Sequence, residues 1–217
     1  MNARSQNFEI SLEPRQLEEA VLSLFHSVLF HRTVGKFHYT NESSFTIGNL
    51  GFEDVDCDFI DHTYLKAQSV GLDRALKQEV AAFSSDLKRE GVNSGQVSLE
   101  FYQKRPKLFM AADCIPWEVW TLRTELVNFT SEQDRQRWSE KVGEILSEKV
   151  RYIAEVMNRN DFVPKMTTQD YLDLIFDTRY PDCQPYLFKV SYTTAGPGHP
   201  SSVGHTFRRL IKDTLAI

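Results

Sequence analysis

The chain is poor in the residues that mark secreted, disordered or membrane-spanning proteins. Three cysteines, Cys57, Cys114 and Cys183, are spread over 217 residues. An odd number without motif spacing argues against a disulfide framework and predicts a reducing compartment, where thiols act as small hydrophobes. Ten glycines and eight prolines are too few for a collagen-like or low-complexity chain. No apolar run approaches the roughly 18 residues of a membrane span, and the first ten residues, Met1 to Ile10, lack the apolar segment of a signal peptide. The expectation is a soluble, cytoplasmic protein with no transmembrane segment, in which the sequons Asn41-Glu-Ser43 and Asn128-Phe-Thr130 are chance matches. Excess positive charge is missing too. Twenty-five Lys and Arg against 30 Asp and Glu leave a net charge of -5, a field that repels nucleic acid and anionic membrane.

What is present suits one folded domain: 41% of the residues are apolar and 12% are aromatic, in a length able to bury a sizeable core. After Pro14, Leu17, Val21, Leu24 and Val28 recur at helical spacing, and Leu22, Phe25 and Leu29 widen the stripe around most of the circumference. The spacing predicts a central helix from Pro14 to Arg32. A second helix is expected after Gly71, with Leu72, Leu76, Val80, Phe83 and Leu87 on one stripe and Gly91 as its stop. A third opens at the capping box Thr130-Ser-Glu-Gln133 and carries Trp138, Val142, Ile145, Leu146, Val150, Ile153 and Met157 toward Asn158. Strands are expected at 45–50, 55–65, 97–101, 117–129 and 186–192. Val97, Leu99 and Phe101 alternate with Ser98 and Glu100, the pattern of a sheet with one wet face. The class is therefore α+β, an antiparallel-rich sheet backed by about three helices.

Motifs for chemistry fail their tests. Asp54-Val-Asp56-Cys-Asp58 opens like a calcium loop on a strand face, but Phe59 replaces the required glycine and Leu65 the bidentate glutamate. His26, His31 and His38 lack metal-ligand spacing, and no His-Glu-x-x-His occurs. A Cys57/His62 hydrolase pair has no third residue to select it. There is no P-loop, Gly-x-Gly-x-x-Gly or Gly-x-Ser-x-Gly. The expectation is no catalytic residue, no metal and no cofactor. One stretch stands out: Gln103-Lys-Arg-Pro-Lys-Leu-Phe-Met-Ala-Ala-Asp113 reads as a loop that combines three cations with Leu108, Phe109 and Met110. Such apolar residues either fold back on the core or anchor a partner.

Taken together, 31–39 (His-Arg-Thr-Val-Gly-Lys-Phe-His-Tyr), 55–61 (Val-Asp-Cys-Asp-Phe-Ile-Asp), 99–103, 114–120 (Cys-Ile-Pro-Trp-Glu-Val-Trp), 155–159, 163–166, 184–188 and 208–215 resemble the autophagy-related protein 101 family along nearly the whole chain. The resemblance implies a HORMA domain over residues 1–195, followed at 196–217 by a flexible joint and an amphipathic segment. It implies a non-catalytic subunit of the Unc-51-like autophagy-initiating kinase complex that pairs with, and stabilises, the HORMA domain of autophagy-related protein 13. The family carries an exposed Trp-Phe finger that recruits downstream autophagy factors; Leu108-Phe109-Met110 stands in that place here, without the Trp. For a dimerising HORMA domain the end of the first helix and the third helix are the faces we nominate, with His31 and Arg32 on one and Met157, Asn158 and Arg159 on the other. At the C-terminus, Phe207, Leu210, Ile211 and Leu215 fall on one helical side and form the expected docking segment. Recruitment to the preautophagosomal structure follows from the same likeness. The competing readings are a peptide-capturing HORMA switch of the mitotic checkpoint type, with 196–217 as its belt, and a basic apolar finger that touches lipid.

Overall fold

The computed structural model describes residues 3–41, 44–107, 110–159, 162–165 and 168–194, with backbone only at 107, 110 and 111. In chain order the elements are β1 (Arg4–Leu12), α1 (Leu17–His31), β2 (Thr33–Val34), β3 (Phe37–Asn41), β4 (Ser44–Ile47), β5 (Phe52–Asp56), β6 (Thr63–Ala67), α2 (Val70–Glu90), β7 (Ser94–Lys107), β8 (Met110–Leu126), α3 (Glu132–Met157), the single turn α4 (Leu172–Ile175), β9 (Gln184–Pro185) and β10 (Phe188–Thr193). A four-stranded sheet in the order β1-β8-β7-β10 carries the three long helices, and β2-β9, β3-β4 and β5-β6 form two-stranded ladders. The expected α+β class, with its antiparallel-rich sheet, is thus what forms.

Alternation builds the main sheet as the sequence predicts. Val97, Leu99 and Phe101 are fully buried and pair with Leu122, Trp120 and Glu118, so one face packs on the helices. The other face is polar: the Ser98 and Thr121 hydroxyls bond at 2.9 Å, Arg123 reaches Gln96 and Glu9, and Lys189 pairs with Glu100 at 2.7 Å. Helix α1 is buried along nearly its whole length, Leu17 through Leu29, because α2, α3 and the β5-β6 hairpin all contact it. Its stripe was wide for that reason.

Several boundaries depart from the sequence expectation. Helix α1 starts at Leu17, after a turn in which the Glu13 N–H donates to Gln16 Oε1 at 3.0 Å, so Pro14 precedes the helix. Helix α2 starts before Gly71, because the Ser69 hydroxyl caps the Leu72 N–H at 3.3 Å. It ends at Gly91, whose φ of 62° is the left-handed cap that glycine takes without steric cost. The expected strand at 55–65 is two strands with a bridge between them, so Asp58 leaves the strand face of Asp54 and Asp56; its N–H is bound by Glu19 at 2.8 Å. Strand β1 was not anticipated, and it pairs parallel with β8. The Gln103–Asp113 loop is also corrected: most of it is strand, with Gln103 opposite Ile115 and Arg105 opposite Asp113.

The bridge between β5 and β6 plugs the gap between α1 and α3. Phe59 C=O accepts from Nε2 of Gln16, the N-cap of α1, and from Ser139 Oγ of α3, both at 3.0 Å. A Cβ on Gly143 of α3 would lie 2.1 Å from Asp61 O, so only glycine allows the bridge this close.

Candidate partner-binding surfaces

Two regions hold the described residues nominated from the sequence, and a third is an apolar face. The first is a junction at one end of the main sheet. There Glu118 of β8, almost fully buried, receives Arg32 from the C-cap of α1 (Nη2 to Oε2, 2.7 Å) and Arg4 from β1 (2.7 Å). The Trp120 indole N–H donates to its other oxygen at 2.7 Å, and the Arg32 guanidinium lies 5.6 Å from the Trp117 ring. Arg4 also donates to the Phe162 carbonyl at 3.2 Å. One carboxylate thereby ties the end of α1 to the segment that follows α3. A buried charge holds its place only when paired and hydrogen-bonded, as here.

Around this junction the nominated residues separate into two kinds. Arg32 is inside, only 7% exposed, and its charge is spent on Glu118. Met157 is half-buried and packs against the core. His31 is half-buried beside the Phe30 ring at 5.0 Å, and burial, then the Arg32 charge, pushes its pKa below the ordinary histidine value. Asn158 and Arg159 are exposed at the end of α3. The surface available to a partner in this region is therefore Asn158 and Arg159, with His31 at its edge.

The second region is the far end of the β7-β8 hairpin. Pairing of β10 with β7 ends at Phe188 and Phe101, and pairing of β1 with β8 ends at Arg4 and Glu118. Beyond those residues the two strands continue as an arm, with register shifts at Phe101/Tyr102 and Arg105/Lys107. From Tyr102 to Lys107 the arm spans roughly 17 Å at the usual rise per residue. Arg105, Pro106, Ala112, Cys114 and Pro116 are exposed along it. Met110 begins β8 at the tip; Leu108 and Phe109 lie outside the described residues, as do Phe207, Leu210, Ile211 and Leu215.

The third region is an apolar face that sequence reasoning missed. Phe37 and Tyr39 of β3 stand opposite Ile47 and Phe45 of β4. Their rings touch each other and Phe176, with Phe37 5.1 Å from Phe45 and 5.2 Å from Phe176. Phe45 and Ile47 keep 36% and 54% of their surface exposed. Period-two alternation of aromatics in 37–47 was the signal available.

Chemistry of the hydrolase type finds no support in the Cys57/His62 pair. Their contact is between backbones, the Cys57 N–H donating to His62 O at 3.0 Å. Burial, followed by the charges of Glu19 and Asp58, pushes the Cys57 thiol up to about 12. The His62 ring instead spans two serines, Ser23 Oγ at 2.9 Å and Ser147 Oγ at 3.3 Å. Desolvation holds it below the ordinary value, so near neutral pH it is an uncharged strut between α1 and α3. Among the described residues no helix is long and apolar enough to cross a membrane, and no group of His, Cys, Asp or Glu is placed to hold a metal ion.

Comparison with known proteins agrees with the eight resembling blocks. The family model for autophagy-related protein 101 matches residues 9–170. The chain is 52% identical to autophagy-related protein 101 of Xenopus tropicalis and to that of Homo sapiens, in each case over the full length of both chains. The Arabidopsis thaliana protein is 19% identical over 56% of this chain and 52% of its own. A match of this extent, with the arm, the Glu118 junction and the helical layer all inside it, shows that the chain belongs to the autophagy-related protein 101 family.

Proposed function

We propose that this protein is a non-catalytic scaffold of autophagy initiation, folded as a HORMA domain. It pairs with the HORMA domain of autophagy-related protein 13 in the Unc-51-like kinase complex and recruits downstream factors at the preautophagosomal structure through its β7-β8 arm. The observation that carries this reading is the arm itself, in a chain that matches the family from end to end. A two-stranded ladder without a third strand or a covering helix adds little to a fold. This one nevertheless continues about 17 Å past the four-stranded pairing, with Lys107 opposite Met110 at its far end; Leu108 and Phe109 are the two residues of the sequence between them. Burying such side chains in a partner contributes roughly 1.5 to 3 kcal/mol each, so the arm makes sense as a reach toward another molecule.

For pairing, the exposed end of α3 beside the Glu118 junction is the surface we nominate, with Arg159 and Asn158 at its centre. Arg32 and Met157 support it from inside. Copurification from cytoplasm tests the reading. Arg159→Glu is expected to lower recovery of autophagy-related protein 13 while the melting temperature stays nearly unchanged. Recovery of a short linear peptide in place of a second HORMA protein would instead favour the checkpoint-type switch, and equal loss of pairing and stability would make Arg159 structural.

A further inference from the structure

The apolar face of the β3-β4 hairpin is only half covered by the fold. Phe37 pairs with Ile47 and Tyr39 with Phe45, so these four side chains share one face, and His38 and Thr46 occupy the other. Phe176 packs on Phe37 at 5.2 Å, yet Phe45 and Ile47 stay open to solvent. A two-stranded ladder is marginal alone and gains from a cover. Its rim is acidic. Asp173 acts on Tyr39 through space, and Asp170 lies one short turn before it in the chain; both are exposed. Asp173 accepts from the Thr178 hydroxyl at 2.7 Å, a neutral partner that leaves its charge uncompensated. Lys36, at the root of the hairpin, is held by the Thr178 carbonyl at 3.2 Å.

The sequence beyond the described residues holds a segment of matching chemistry. Phe207, Leu210, Ile211 and Leu215 recur at helical spacing, and Arg208, Arg209 and Lys212 outnumber the single Asp213 beside them. We infer that residues 207–215 dock as an amphipathic helix on the apolar face of the β3-β4 hairpin, with their cations toward Asp173. The dimensions agree. As a helix, Phe207 to Leu215 covers about 12 Å, and the ladder from Phe37 to Asn41 is about 13 Å long. The tether also agrees. Thr194 lies eight residues from Tyr186, at most about 27 Å away. From Tyr186, ring contacts of 4.4 Å to Phe176 and 5.2 Å onward to Phe37 lead to the hairpin. The thirteen residues from Thr194 to Phe207 reach about 43 Å when extended, and average about 20 Å as a flexible coil. Such a tether holds the segment near the face at roughly millimolar effective concentration, which a free partner must exceed. An anionic bilayer fits less well, because the rim carboxylates and the net charge of -5 oppose it. A second copy would set the same acidic rim against itself.

The test uses the full chain with a photoreactive phenylalanine in place of Ile47, a position exposed enough to accept it. Irradiation is expected to join this position to residues 207–215 of the same chain, with a yield unchanged by dilution. The same probe in place of Thr46, on the polar face, should give little of that product. Leu210→Asp combined with Ile211→Asp should lower the yield about tenfold while the melting temperature stays nearly unchanged. Asp173→Lys should lower it about threefold, and adding Arg208→Glu with Arg209→Glu should restore it. Equal yields from positions 46 and 47 would overturn the proposal, as would cross-links from position 47 that avoid 207–215. A yield that falls on dilution, with products joining two chains, would assign the face to a second copy and overturn it as well. So would a yield that the Leu210→Asp, Ile211→Asp pair leaves intact.

Discussion

Strand β8 is two structures in one. From Trp117 to Leu126 it lies inside the main sheet between β1 and β7, with Trp117, Glu118, Trp120 and Leu122 buried; from Met110 to Pro116 it forms half of the arm, with Ala112, Cys114 and Pro116 exposed. The change falls at the register shift beside Phe101, next to Glu118. There an extra residue breaks the ladder and bends the hairpin out of the sheet's twist. On one side every neighbour is committed: Glu118 alone holds two arginines and an indole. On the other, Arg105, Pro106, Ala112, Cys114 and Pro116 are exposed.

The contrast can be broken at its strong end. Glu118→Ala removes the carboxylate that Arg4, Arg32 and the Trp120 N–H share. The expected cost in urea denaturation is about 3 to 5 kcal/mol, with β1 losing hydrogen-exchange protection first. A loss under about 1 kcal/mol would mean that the junction is solvated and is not the anchor of the fold. A smaller loss is expected for Gly143→Ala, whose methyl group meets the Asp61 carbonyl. Either α3 or the 57–62 bridge must move, at about 1 to 3 kcal/mol as for other overpacked sites. Refolding to unchanged stability would show that the bridge gives way freely.

Acidification sharpens the comparison by weakening only the helical layer. His26 is buried beside Asp73 at 3.2 Å and stacked on Tyr64. Burial holds its pKa below the ordinary 6.5, the Asp73 contact opposing this only in part. The unfolded chain therefore takes up the proton first. The neutral imidazole's contribution is complete above the unfolded value and declines as pH falls through it toward the depressed folded value. Asp73, whose pKa is pushed well below the carboxylate range by His26, Lys77 and Lys66, keeps its charge throughout that window. Urea midpoints are expected to be level from pH 8 to about 7 and to fall below about 6.5; a His26→Gln variant should flatten the fall, and an unchanged slope would shift the assignment to His31 or His62.

The smallest effect on stability is expected between Lys107 and Met110. Leu108→Ala combined with Phe109→Ala should change stability by no more than about 0.5 kcal/mol, as surface substitutions do, while recruitment of downstream factors in a pull-down drops clearly. A loss of several kcal/mol would mean a packed loop and would remove the recruiting role.

Local pattern alone was enough for the three long helices and the wet-faced sheet, because a buried face recurs at 3.6 or 2 residues whatever lies against it. It also carried the family, through blocks such as Cys114 to Trp120. Strand β1 was hidden for a physical reason. Its inward positions include Arg4 and Gln6, which read as polar until Glu118, 114 residues away from Arg4, and Tyr152 supply their partners. The arm read as a loop because a ladder with no apolar face on a core shows no alternation to find. Arg32 looked like a surface charge for the same reason that Glu118 looked like one: a charge's burial depends on where its counter-charge is brought, and only the folded chain brings them together.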